Sequence, residues 1–146
     1  MLVTLVLYRL AVSCWVGGAA LFTFVLTPLI FKAYNRDLAG GIVGVLFPGY
    51  FRCGLVCGGL ALACLAIARG RHALVSGVII LAMLAVTALQ AFVIEPKAAE
   101  LKKSIPSFET TAPDLPQRAA FRKLHGISAV SNLAVIGGGI ALVALF

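Results

Sequence analysis

The chain is predicted to be all-α, an integral membrane four-helix bundle, and three observations predict it. Of its 146 residues, 62% are hydrophobic and 12% charged, with a mean hydropathy of +1.08, more apolar surface than a soluble core of this size can hide. The apolar residues fall into four stretches. Leu2 to Phe31 carries one charge, Arg9, and Gly41 to Ala68 carries one, Arg52, while Ala73 to Ile94 and Ile127 to Phe146 carry none. Each reaches the ~20 residues that a spanning helix needs. Finally, the remaining ionisable residues gather between the stretches, as loops and helix ends require. One membrane domain over residues 1–146 follows, with spans at about 2–28, 48–69, 73–94 and 124–146 and a connection at 95–123.

The first stretch is N-terminal and contains Ala19-Ala20, but it lacks a basic leader region. Its apolar run also exceeds the ~7–15 residues of a secretory signal, so a retained helix is expected. Pro28 should kink it or mark its exit from the hydrocarbon. Asn35 or Asp37 offers a start for the second helix. In Leu46-Phe47-Pro48-Gly49-Tyr50-Phe51 aromatic rings flank a helix breaker, a cluster suited to the headgroup layer. A helix entering the membrane at Gly41 would carry Arg52 roughly 16 Å inward, at ~1.5 Å per residue, and would demand a partner for it. The favoured alternative breaks the helix at Pro48-Gly49, so that Arg52 lies shallow and snorkels. Arg69-Gly70-Arg71-His72 is a short turn between antiparallel neighbours. The third helix ends at Glu95-Pro96, after which Lys97 to Lys103 is helix-prone and can extend it past a kink. Residues 104–113 read as a loop. Asp114 and Gln117, with Pro116 between them, resemble a capping box that starts the fourth helix near Leu115.

The net charge of +7 does not point to nucleic acid, because no soluble domain is left to display a basic groove. Orientation explains the basic residues better. Lys32, Arg36, Lys97, Lys102, Lys103, Arg118, Arg122 and Lys123 lie on one side, against Arg69 and Arg71 on the other. The positive-inside rule then places both termini outside and the 32–40 and 95–123 connections in the cytoplasm of a bacterial-type inner membrane.

Ionisable groups at membrane depth are costly and mark sites by default. Phe121, Leu124, His125, Ser128 and Asn132 share one face of the fourth helix, and a hairpin brings that face to Glu95. The candidate polar layer is therefore His125, Glu95, Arg122, Asn132, Ser128 and Arg52. Its structural reading is interhelical hydrogen bonding and an ion pair of Glu95 with Arg52, Arg122 or Lys97. Gln90, five residues before Glu95, points about 140° away on a regular helix at ~100° per residue and is left out. Cys53, Cys57 and Cys64 lie near one stripe of the second helix, and Cys14 can approach them, but without a C-x-x-C or a methionine cluster they read as small apolar residues. His72 and His125 fall on opposite sides, which excludes bis-histidine haem ligation within one chain. No metal and no cofactor are expected, and no catalytic triad, phosphate loop or zinc-ligand set is present. Gly40-x3-Gly44, Gly54-x3-Gly58 and Gly137-Gly138-Gly139 permit close helix packing, within the bundle or between copies.

Taken in order, Trp15, Pro28 to Phe31, Ala39-Gly40, Leu46-Phe47-Pro48, Tyr50, Glu95-Pro96, Phe121, Leu124-His125-Gly126, Ser128 and Asn132 resemble the transmembrane protein 205-like family. The resemblance covers nearly the whole chain and implies a four-helix membrane domain without a settled activity. Arg52 and the cysteines fall outside it. The function expected is that of a non-enzymatic channel, carrier or accessory subunit that binds a small solute, a proton or a lipid headgroup. The alternatives are a structural module that assembles through small-residue faces and, last, a metal- or haem-linked redox protein. Expected partners are membrane lipid and a second copy or another membrane protein, and no nucleic acid.

Overall fold

The structure, a computed structural model, describes residues 2–68 and 71–145. Four helices cross it, each long and apolar enough to span a membrane: α1 (Leu2–Ala33), α2 (Arg36–Ala68), α3 (Ala73–Lys103) and α4 (Pro116–Ala144). The protein is an integral membrane four-helix bundle. Each helix packs on the next and α4 returns to α1, closing an up-down ring. At ~1.5 Å per residue these helices outrun a hydrocarbon core of ~30 Å, so their ends project beyond it. One end carries the 34–35 and 104–115 connections. The other holds the N-terminus, the Arg71–His72 turn and the end of α4; Arg69 and Gly70 of the expected turn lie outside the described residues.

The core is one cluster that includes Tyr8, Trp15, Ala61, Ile80, Met83, Val135 and Leu142. Large apolar side chains such as Val56, Ile67, Leu74, Val78 and Val130 face outward, the inversion expected where lipid is the solvent. Lipid offers little hydrophobic drive between helices, so backbone proximity matters. A Cβ on Gly54 would lie 2.7 Å from Trp15 Nε1, and one on Gly58 would lie 2.6 Å from Trp15 Cζ3 and 2.5 Å from Leu84 Cδ2. The Gly54-x3-Gly58 pair is thus the seat of the Trp15 indole. Gly139 does the same for Val16, whose Cγ2 would come within 2.0 Å of an added Cβ.

Of three prolines within helices, one departs from expectation. Helix α3 runs on through Pro96 to Lys103, as the helix-prone stretch after it predicts, and α1 runs on through Pro28; each proline follows a π-helical turn, Phe22–Leu26 in α1 and Gln90–Ile94 in α3. The Thr27 N–H reaches the Phe22 carbonyl and the Glu95 N–H the Gln90 carbonyl. Such a turn carries an extra residue and makes room for a ring that would otherwise meet the carbonyl four residues back. Pro48 does not break α2, which runs through it from Arg36 to Ala68. The carbonyl it opposes belongs to Gly44, beside which a Cβ would meet nothing within 4 Å, so the neighbourhood tolerates the distortion. The rings around Pro48 pack inward, against α1. Phe51 is buried, Tyr50 stacks on Phe22 at 4.6 Å and Phe47 lies 5.4 Å from Phe22, an aromatic layer inside the bundle packed on the π-turn of α1.

Helix starts follow the sequence more closely. Asn35 caps α2, its Oδ1 accepting the Leu38 N–H at 2.9 Å. Helix α4 starts at Pro116 with proline in its first turn, but no side chain caps it, so the expected Asp114 box is not formed.

Candidate functional site

At the loop end the bundle opens into a cavity of about 260 Å³ between α2, α3 and α4. Its floor is Gly40, Gly41 and Gly44 of α2. The α3 wall presents Glu95 and Lys102 with Ala98 and Ala99 between them, and the α4 wall presents Phe121, Leu124, His125 and Ser128. Lys102 is seven residues after Glu95, two turns on, and so shares its face. The alanines are short enough to leave the space empty. Glu95 is half-buried. Among the described residues the one ion pair is Lys103–Glu100, at 3.0 Å on the exposed surface of α3, a contact worth little. The expected ion pair of Glu95 with Arg52, Arg122 or Lys97 is therefore not formed among them.

Below the cavity the polar face of α4 continues into the bundle. Ser128 donates to Gln90 Oε1 at 3.0 Å. One turn deeper, Asn132 Oδ1 accepts the Tyr50 hydroxyl at 2.5 Å and its amide donates to Thr23 Oγ1 at 2.5 Å. Both π-turns feed this seam, α1 through Thr23 and α3 through Gln90. Setting Gln90 aside fails for a physical reason: with the Glu95 N–H bonded to its carbonyl five residues back, Gln90 lies beneath Glu95 rather than 140° away. Its side chain is 1% exposed, and its Nε2 has no hydrogen-bond partner among the described residues.

The 104–115 connection is tied to the start of α2 beside the cavity. Ser107 Oγ donates to Asp37 Oδ2 at 2.5 Å, the Phe108 N–H to Asp37 Oδ1 at 2.6 Å, and the Arg36 N–H to Glu109 Oε1 at 2.9 Å. Two carboxylates thus meet the start of α2, where the helix dipole favours them. Phe108 packs on Phe121 at 5.0 Å under the Arg118 guanidinium, and the Phe121 ring lies parallel to that of His125.

Of the six residues singled out from sequence, the structure brings Glu95, His125 and Ser128 to the cavity and Asn132 to the seam beneath it. It does not bring in Arg52 or Arg122, both exposed on outer helix faces. Sequence reasoning passed over Lys102, the glycine floor, Phe108 and Gln90. The seven-residue spacing from Glu95 was a signal for Lys102; no local signal marked Phe108. Cys14, Cys53, Cys57 and Cys64 are free thiols, and no group of three or more His, Cys, Asp or Glu among the described residues is arranged to hold a metal ion.

Fold and site together define a multi-pass membrane protein with a polar cavity at the loop end of its bundle. The chain belongs to the family described as "Domain of unknown function (DUF4149)", which matches residues 10–107, a span that includes Trp15, the glycine floor, Glu95 and Lys102. It is also similar to an uncharacterised protein of Aquifex aeolicus (strain VF5), 32% identical over 124 residues that cover 85% of this chain and 82% of that one. No solved structure matches. These matches carry the family; the finer resemblance to transmembrane protein 205-like proteins rests on the motif order alone.

Proposed function

We propose that this protein is a non-enzymatic binding protein of the channel, carrier or accessory-subunit kind, holding a small solute or a lipid headgroup in the cavity of Glu95, Lys102, His125 and Ser128. The observation that carries the reading is that an acid, an amine, an imidazole and a hydroxyl line one space at the membrane boundary, with neither Glu95 nor Lys102 in an ion pair among the described residues. Unneutralised charge at that depth is costly unless something else satisfies it. On this reading the basic loop end is cytoplasmic and both termini are outside a bacterial-type inner membrane, as the Lys and Arg count supports. The same reading takes the chain as a transmembrane protein 205-like member of its family. Assembly through small-residue faces has less to rest on, because Gly54, Gly58 and Gly139 are already filled within the chain. Mass spectrometry of gently purified protein tests the proposal. A small ligand should co-purify with wild type and be lost from Glu95→Gln and His125→Ala proteins that remain folded; retention of the same ligand in both variants, or ligand-free wild type that no solute stabilises, refutes it.

A further inference from the structure

The polar cavity does not end at its own walls. It runs into a second, largely apolar chamber of about 200 Å³ that adds Phe31, Arg36, Val43 and Phe108, while Gly40, Phe47, Phe121, Lys102 and His125 line both spaces. The chemistry is therefore ordered in space. Glu95 lines the polar chamber only, Lys102 and His125 line both together with Phe47 and Phe121, and the Phe31 and Phe108 rings line the second chamber only. An occupant that satisfies the order has a cationic donor, an anion next to it and an apolar body on the far side of the anion. Glu95 and Lys102 share a face two turns apart without pairing, which leaves a gap that a small zwitterion bridges, ammonium to carboxylate and carboxylate to amine.

The floor fits the same occupant. Gly41 and Gly44 face open space, where a Cβ would meet nothing within 4 Å. Pro48 has no N–H, so the Gly44 carbonyl lacks its usual intrahelical donor. Resting on the reading of this cavity as a binding site, we infer that its ligand is an α-amino acid with an apolar side chain. Its ammonium sits on Glu95, its carboxylate on Lys102 and His125, and its side chain among Phe47, Phe108 and Phe121. A lipid headgroup offers similar charges, but a chamber of about 200 Å³ suits a short side chain better than an acyl chain.

The test uses the full-length protein in detergent, with ligand binding read by thermal stabilisation and calorimetry. L-leucine and L-phenylalanine should bind, and their analogues lacking the amine or the carboxylate should bind about tenfold more weakly, the change expected for one lost charge-assisted hydrogen bond. Glycine should also lose about tenfold, for want of an apolar side chain to bury. Gly44→Leu should abolish binding by filling the floor, whereas Gly59→Leu, on the same helix in equally open space outside the cavity, should bind as wild type and so controls for folding. Glu95→Gln should bind the intact amino acid no better than the deaminated acid. Equal binding of leucine, glycine and the truncated analogues overturns the amino-acid assignment. So does stabilisation by phosphatidylethanolamine over phosphatidylglycerol with no response to either amino acid, which keeps the cavity and changes its occupant. If Gly44→Leu leaves the binding of every ligand unchanged, the cavity reading falls as well.

Discussion

Helix α2 carries the same motif twice, and the two copies do opposite things. Gly54 and Gly58 are pressed against the Trp15 indole, where an added Cβ would overlap neighbouring side chains, whereas Gly40 and Gly44 border a cavity, where it would meet only the Lys102 side chain, 3.5 Å away at Gly40, and nothing at Gly44. The difference lies in what opposes each glycine. Near the middle of the bundle α1 supplies the bulkiest side chain in the protein. At the loop end α3 supplies Ala98 and Ala99 and a lysine that reaches past them. Missing Cβ atoms thus permit helix contact in one place and leave room for a ligand in the other.

The strongest test of that contrast removes the opposing ring. Trp15→Ala should destabilise by ~3–5 kcal/mol, the range for deleting a large buried aromatic side chain, measured by denaturant titration in detergent micelles. Next comes the glycine pair itself. Gly58→Ala should cost ~1–3 kcal/mol as an overpacked contact. Gly44→Ala should instead be neutral or stabilise by ~0.5–1 kcal/mol, since alanine is the better helix former and meets no neighbour there. Equal losses at the two positions would show that the loop end is as tightly packed as the core. A smaller effect separates the polar seam from both. Tyr50→Phe and Asn132→Leu, combined in a double-mutant cycle, should show a coupling of ~0.6 kcal/mol, the usual size of a hydrogen bond between membrane helices. A coupling near zero would reduce the Tyr50–Asn132 contact to simple proximity.

How far the sequence disclosed this contrast depends on what each feature needs. Four spans, the starts of α2 and α4 and the shared face of His125, Ser128 and Asn132 follow from apolar run length, an Asn cap, a first-turn proline and a 3.6-residue period. All are local. Gln90 was hidden because one π-turn shifts the phase by a residue, and α3 shows no mark of it beyond the proline that follows. Pro48 misled in the other direction, since a helix breaker in lipid can be carried through when a bare glycine turn precedes it. Arg52 looked like a member of the layer because depth is readable from sequence and the direction in which a residue faces is not. The two glycine pairs were indistinguishable for the same reason: spacing records the gap and not the residue that fills it.

The smallest predicted effect on the bundle itself concerns the strap beside the open end. Asp37 accepts from the Ser107 hydroxyl and the Phe108 N–H and so ties the 104–115 connection to the start of α2. Asp37→Ala removes both acceptors but leaves Phe108 its packing against Phe121 and Arg118. Asp37 is not buried and water can replace it as acceptor, so the loss should be small and confined to the loop. Limited proteolysis should then cut within 104–115 several-fold faster, because cleavage of a locally opened segment follows its open population. The denaturant midpoint of the bundle should not move, since the Trp15 seat lies elsewhere on α2. If the midpoint falls together with loop protection, the two ends of the helix are energetically one unit, and the cavity is part of the core rather than an opening beside it.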